Sequence, residues 1–151
     1  MIEHLPGIRP FEIMPHLVAL TLSYLLALPI GWNREKEERS AGLRTFPLVA
    51  VATCGFVQAT EPLVSDAPEA MARIIEGLIT GMGFIGGGAI LRHEGSVHGT
   101  ATAASLWITG AIGVAVGLGS LDVAIILFVV TMLTLGVMRW LKQATGQKSA
   151  E

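Results

Sequence analysis

Apolar residues in this chain fall into five blocks, Ile13–Trp32, Thr45–Thr60, Ile74–Leu91, Ala101–Leu118 and Val123–Met138, each separated from the next by a short polar segment. A helix rising 1.5 Å per residue needs about 20 apolar residues to cross the hydrocarbon layer of a bilayer, which is about 30 Å thick. The blocks therefore predict five membrane-spanning helices, the second being the shortest. The separators are "NREKEERSAGLR", "EPLVSDAPEAMAR", "RHEGSVHG" and "GSLD", and the chain closes on "RWLKQATGQKSAE". None of them is long enough for a soluble domain. The expected fold is an all-α integral membrane protein, a compact bundle of five transmembrane helices formed by residues 1–141, with 142–151 as a short cytoplasmic tail.

Within the third block, helical spacing puts Gly77, Gly81 and Gly88 on one stripe. Glu76, Thr80, Gly83 and Gly87 form the adjacent stripe with Arg73 at its edge, and Leu78, Met82, Ile85 and Ala89 gather opposite. Small residues let membrane helices approach closely, so the glycine side is expected to pack on protein and the bulky side to meet lipid. In the fourth block Ser105, Thr109, Gly113 and Gly117 step by four, with Thr102 close to the same line. The fifth is bulky around most of its circumference and is expected at the periphery. The run Gly81-x-Gly83-x-x-Gly86 has the spacing of a dinucleotide-binding loop. It lacks the preceding strand and the acid about 20 residues on that such a loop needs, so its glycines are read as packing positions.

Composition agrees with burial in a membrane. Hydrophobic residues make up 52% and charged residues 15%, and the mean hydropathy is +0.62. Soluble domains carry about 25% charged residues, so this chain lacks the polar material for a globular surface. A lone cysteine, Cys54, excludes an internal disulfide and a cysteine zinc cluster. "HEGSVH" is one residue too long for the H-E-x-x-H zinc motif. Nothing resembles a catalytic triad, a carboxylate pair or a phosphate loop, so no enzymatic activity, cofactor or nucleic-acid partner is expected.

Charge sets the orientation, because basic loops stay in the cytoplasm. Arg34, Lys36, Arg39, Arg44, Arg92, Arg139, Lys142 and Lys148 fall on one side, against Arg9 and Arg73 on the other. The N-terminus is expected outside and the C-terminus inside. Trp32 and Trp140 then sit at cytoplasmic ends, where aromatic belts belong. The first span, flanked by Glu3 and Glu12, is read as retained rather than cleaved.

Carboxylates at membrane depth are costly and face a cavity or a partner. Glu76 is therefore the leading candidate for a cation or proton site, or for a latch with Arg73, with Thr80, Thr102 and Thr109 as further polar groups. The competing reading is a structural ion pair with Arg73 about one turn into the span, near the outer interface. The charged first loop is read either as a solvated turn that fixes topology or as a site for lipid headgroups, phosphate or a partner.

"IGWNREKEERSAGLRTFPLV" (Ile30–Val49), "GMGFIGGGAIL" (Gly81–Leu91) and "GTATAASLWITGAIG" (Gly99–Gly113) resemble, in order, three signature stretches of the MgtC/SapB family. The matching positions are Arg34, Gly42, Leu43, Arg44, Thr45, Arg73, Gly83, Phe84, Gly86, Gly88, Gly99, Thr102, Ala103, Ala104 and Trp107. The resemblance implies a bacterial inner-membrane protein of about five spans, tied to growth under low magnesium, survival inside hosts and control of membrane energetics. Asn33 replaces the acid of the family's I-G-x-E-R pattern, Thr100-Ala101 replaces Leu-Thr, and Glu76 stands where glutamine or a small residue is usual. The family's soluble C-terminal extension is expected to be absent, because the chain ends soon after its last span. By position, Arg34, Arg44, Thr45, Gly99 and Thr102 are expected to converge at the cytoplasmic face.

Two functions follow. One is a regulatory membrane protein that binds lipid or another inner-membrane complex through its spans and basic loop. The other is an oligomeric cation transporter or channel centred on Glu76, with magnesium as ligand or transported ion. Glycine faces on two spans predict a homo-oligomer, a dimer first.

Overall fold

The computed structural model describes residues 13–37, 41–64, 67–93 and 96–144. They form five helices, α1 (Ile13–Glu37), α2 (Thr45–Val64), α3 (Pro68–Gly88), α4 (Thr100–Gly117) and α5 (Leu121–Ala144). α1, α2, α4 and α5 are each long and apolar enough to cross a membrane; α3, diluted by Arg73 and Glu76, falls short of that measure. Arg9, Arg39, Asp66, Glu94, Gly95 and Lys148, on which the orientation and metal readings also drew, lie outside the described residues, as does the tail beyond 144.

The fold departs from an all-α bundle in one place. Between α3 and α4, strands β1 (Leu91–His93) and β2 (Ser96–His98) pair antiparallel, with Leu91 opposite His98 and His93 opposite Ser96. The chain leaves this hairpin through Gly99, which caps α4 at φ 85. A side chain there would be strained by that backbone and would run into the Ala89 carbonyl oxygen.

Helix boundaries also move. α1 continues past Trp32 to Glu37, absorbing part of the expected loop, because Asn-Arg-Glu-Lys-Glu is compatible with helix even where it is not apolar. Its last turn carries Lys36 with Nζ 4.9 Å from the centroid of the Trp32 ring. α3 starts at Pro68, a residue suited to a first turn, well before the apolar run begins at Ile74. Glu76 therefore lies about 12 Å along its helix rather than one turn in.

α4 is the axis of the bundle and touches each of the other four helices. It can do so because small residues occupy it on several sides. Gly110 receives the Met82 thioether of α3; Gly113 abuts the Thr53 hydroxyl and the Ala50 carbonyl of α2; Gly117 lies against Val57 and the Cys54 carbonyl of α2. Ile30, Phe46, Cys54, Leu106, Ile112 and Val116 fill the core around that seam. α5 packs on α4 and lies at the rim, with Ala124 and Thr131 buried and most of its other side chains exposed.

α3 turns the opposite way from the expectation. Met82 and Gly86 face inward, Gly86 against Ala103, whereas a methyl group placed on Gly77, Gly81, Gly83, Gly87 or Gly88 would meet nothing within 4 Å. The reason is complementarity. α4 offers a small socket at Gly110 that the Met82 side chain fills, where two facing glycines would leave a void, while Gly86 allows close approach at Ala103.

Overpacking a tight seam costs about 1–3 kcal/mol. Gly113→Val, which drives a branched side chain into Thr53 and Ala50, is expected to lower stability by about 3 kcal/mol. Gly136→Val, at a position open to 4 Å, is expected to stay within about 1 kcal/mol of the parent. Reversible unfolding in mixed detergent micelles measures both.

Candidate functional site

The family-like segments meet at the end of the bundle where α1 finishes and α2 begins. The described part of the link between them, residues 41–44, is tied back to α1. Glu35 accepts a 2.7 Å hydrogen bond from the Leu43 backbone N–H, and the N–H groups of Thr45 and Phe46 both donate to the Gly42 carbonyl at 3.0 and 3.1 Å. A side chain on Gly31 would come within 3.0 Å of that same carbonyl, so glycine lets α1 press against the link.

Arg34 is buried on α1, only 6% exposed. Its Nη2 donates to Asn33 Oδ1 at 3.0 Å, and its buried Nε meets no acceptor. The amide of Asn33 is a neutral acceptor, so this contact orients the guanidinium without cancelling its charge. A buried cation that is incompletely paired is expensive. The signal for its burial was in the spacing: Ser23, Ala27, Ile30 and Arg34 continue one helical line of buried residues.

The residues expected to converge divide by environment. Arg34, Gly99 and Thr102 are buried, Thr45 is half-buried and Arg44 is exposed. Arg44 and Thr45 stand at one end of a groove of about 560 Å³ between α2 and α3, which sequence reasoning did not anticipate.

On α3, Arg73 and Glu76 are both exposed and no ion pair joins them. Thr80 donates to the Glu76 carbonyl at 2.9 Å and Thr109 to the Ser105 carbonyl at 2.8 Å. Both hydroxyls thus serve their own helices. Glu76, Thr80, Gly83 and Gly87 form an exposed stripe facing away from the bundle. Among the described residues no three His, Cys, Asp or Glu side chains gather in metal-binding range.

Comparison with known proteins places these features in context. A family model described as the MgtC family matches residues 20–144. Protein SrpB of Synechococcus elongatus is 35% identical over 143 residues, covering 83% of this chain and 79% of that protein. Protein MgtC of Salmonella typhimurium is 38% identical over 105 residues, covering 70% of this chain but only 44% of its own length. The Escherichia coli protein YhiD, whose name proposes magnesium transport for it, is 32% identical over 127 residues, covering 80% of this chain and 59% of YhiD. No solved structure matches the chain.

The Glu35–Leu43 bond generates a local test. Glu35→Ala is expected to speed amide hydrogen exchange at Leu43 by about tenfold, since a charge-assisted bond contributes on the order of 1.5 kcal/mol. Glu35→Gln, which keeps an acceptor, is expected to lose less than half of that protection.

Proposed function

The chain belongs to the MgtC family, and from that membership we propose that it is a regulatory protein of the bacterial inner membrane, linked to magnesium homeostasis and membrane energetics, which acts by seating a partner on the outward stripe of α3. It is a multi-pass membrane protein. In this reading α3 crosses together with the four more apolar helices, so the N-terminus is outside and the C-terminus cytoplasmic. The basic residues near the ends of α1 and α5 support that orientation. So do the exposed rings of Trp32 and Trp140.

One observation carries the proposal: an exposed carboxylate, Glu76, about 12 Å along α3. Facing acyl chains at that depth it is strongly disfavoured. A partner helix bringing a hydrogen-bond donor or a cation removes the penalty, and Gly83 and Gly87 on the same stripe allow close backbone approach. The partner is a second copy of this chain, a dimer being the simplest assembly, or another inner-membrane complex.

The second reading, an oligomeric transporter or channel for magnesium or for a proton-coupled cation, uses the same residue. Copies of Glu76 brought together would supply oxygen ligands of the kind magnesium takes with part of its water shell, and the name of YhiD favours it. A single carboxylate per chain favours regulation. Neither reading needs a cofactor or enzymatic chemistry.

Liposomes containing the purified protein separate the two. Regulation predicts no magnesium or proton flux above protein-free vesicles, and unchanged flux in Glu76→Gln. Flux that Glu76→Gln abolishes establishes transport instead. In native membranes, Gly83→Cys is expected to crosslink to a second copy or to one defined membrane protein; a crosslink to lipid alone would sink the docking role of the stripe.

A further inference from the structure

The groove between α2 and α3 lies on the other side of α3 from the Glu76 stripe. Leu48 and Phe56 form one wall and Gly77 and Gly81 the other, with Arg44 and Thr45 at one end. Thr53 also borders it, but that hydroxyl already donates to the Val49 and Ala50 carbonyls at 3.0 and 3.1 Å. Past Arg44 and Thr45 the groove is apolar in effect. Leu48 is 65% and Phe56 58% exposed, so it opens sideways, toward acyl chains rather than water.

We propose that this groove holds one acyl chain of an anionic phospholipid from the leaflet on the Arg44 side, with the Arg44 guanidinium on the headgroup phosphate. Length supports the assignment. From Thr45 to Phe56 the groove runs about 17 Å along α2, close to the ~15 Å of one leaflet's hydrocarbon. An occupant anchored at Arg44 therefore ends near the mid-plane. The lining supports it as well. Past Arg44 and Thr45 the groove is bordered by Leu48, Phe56, Leu78 and Ile85, the apolar surface that a hydrocarbon chain meets.

Charge selects the headgroup. The first α2 amides, Thr45 and Phe46, are already bonded to Gly42, and Pro47 has none to offer. Recognition thus falls to the Arg44 side chain, which is exposed. Glu35 is engaged by the Leu43 N–H, and among the described residues no carboxylate pairs with Arg44, which is left for an outside anion. Basic pockets between transmembrane helices at the headgroup level bind anionic lipid in this way. Glycine makes the room: side chains at Gly77 or Gly81 would meet nothing within 4 Å, so the space they vacate belongs to the groove.

The protein, reconstituted in vesicles of equal phosphatidylglycerol and phosphatidylcholine and extracted in mild detergent, is examined by native mass spectrometry for retained lipid. The parent is expected to favour phosphatidylglycerol about fivefold, the factor for one basic residue near the surface. Arg44→Gln should retain both lipids equally. Gly81→Leu, which fills the groove from an open position, should retain neither above background at an unchanged unfolding temperature. Selectivity that survives Arg44→Gln overturns the headgroup assignment. Unaltered retention in Gly81→Leu overturns the groove as the site. A change in subunit number without a change in lipid assigns the groove to a second copy. Displacement of the lipid by inorganic phosphate alone would show that the tail contributes nothing.

Discussion

The bundle rests on the contact between α2 and α4, where two glycines of α4 remove side chains at the points of closest approach. Gly113 and Gly117 allow α4 to lie directly on the Ala50 and Cys54 carbonyls and on Thr53 and Val57. In a bilayer, lipid tails are as apolar as leucine, so helices are held by close packing and not by a drive to leave water. A wide separation here would forfeit contacts on both helices at once. Because α4 also borders α1, α3 and α5, its slenderness governs how near every other helix can come.

That constraint explains the asymmetry of α3. The axis helix has sockets at Ala103 and Gly110, and Met82 and Gly86 are what α3 sets against them. Its other glycines and its one mid-helix acid are displaced to the exterior, on two sides. One side borders α2 across the groove, and the other looks away from the bundle. α3 is thus the least integrated of the helices in chemistry, combining an ordinary packed side with two surfaces that the chain leaves uncovered.

Much of the architecture was legible in hydropathy, because crossing a bilayer demands long apolar runs and the chain has them. What hydropathy reads poorly is a helix continuing through polar residues. The extension of α1 through Asn33 and Arg34 and the start of α3 at Pro68 follow from helix compatibility, which carries no apolar signal. The hairpin at Leu91–His98 was invisible for the opposite reason, being too short for an alternating pattern to stand out. Periodicity grouped the small and the bulky residues of α3, yet it could not say which of them meet protein, since that depends on the sockets of another helix. The same limit applied to the candidate sites. Glu76 stood out as a lone acid in an apolar block, and the burial of Arg34 could be traced along α1. The groove exists only in the relative placement of two helices.

Cys54 shows what the α2–α4 seam implies for handling this protein. The thiol is fully enclosed, behind the carbonyl layer that Gly117 touches. Reagents that alkylate or oxidise sulfur depend on access to the atom, and here the route is closed for as long as the helices stay together. The native cysteine is therefore expected to react with added maleimides only once the helices around it, α1 among them, move apart.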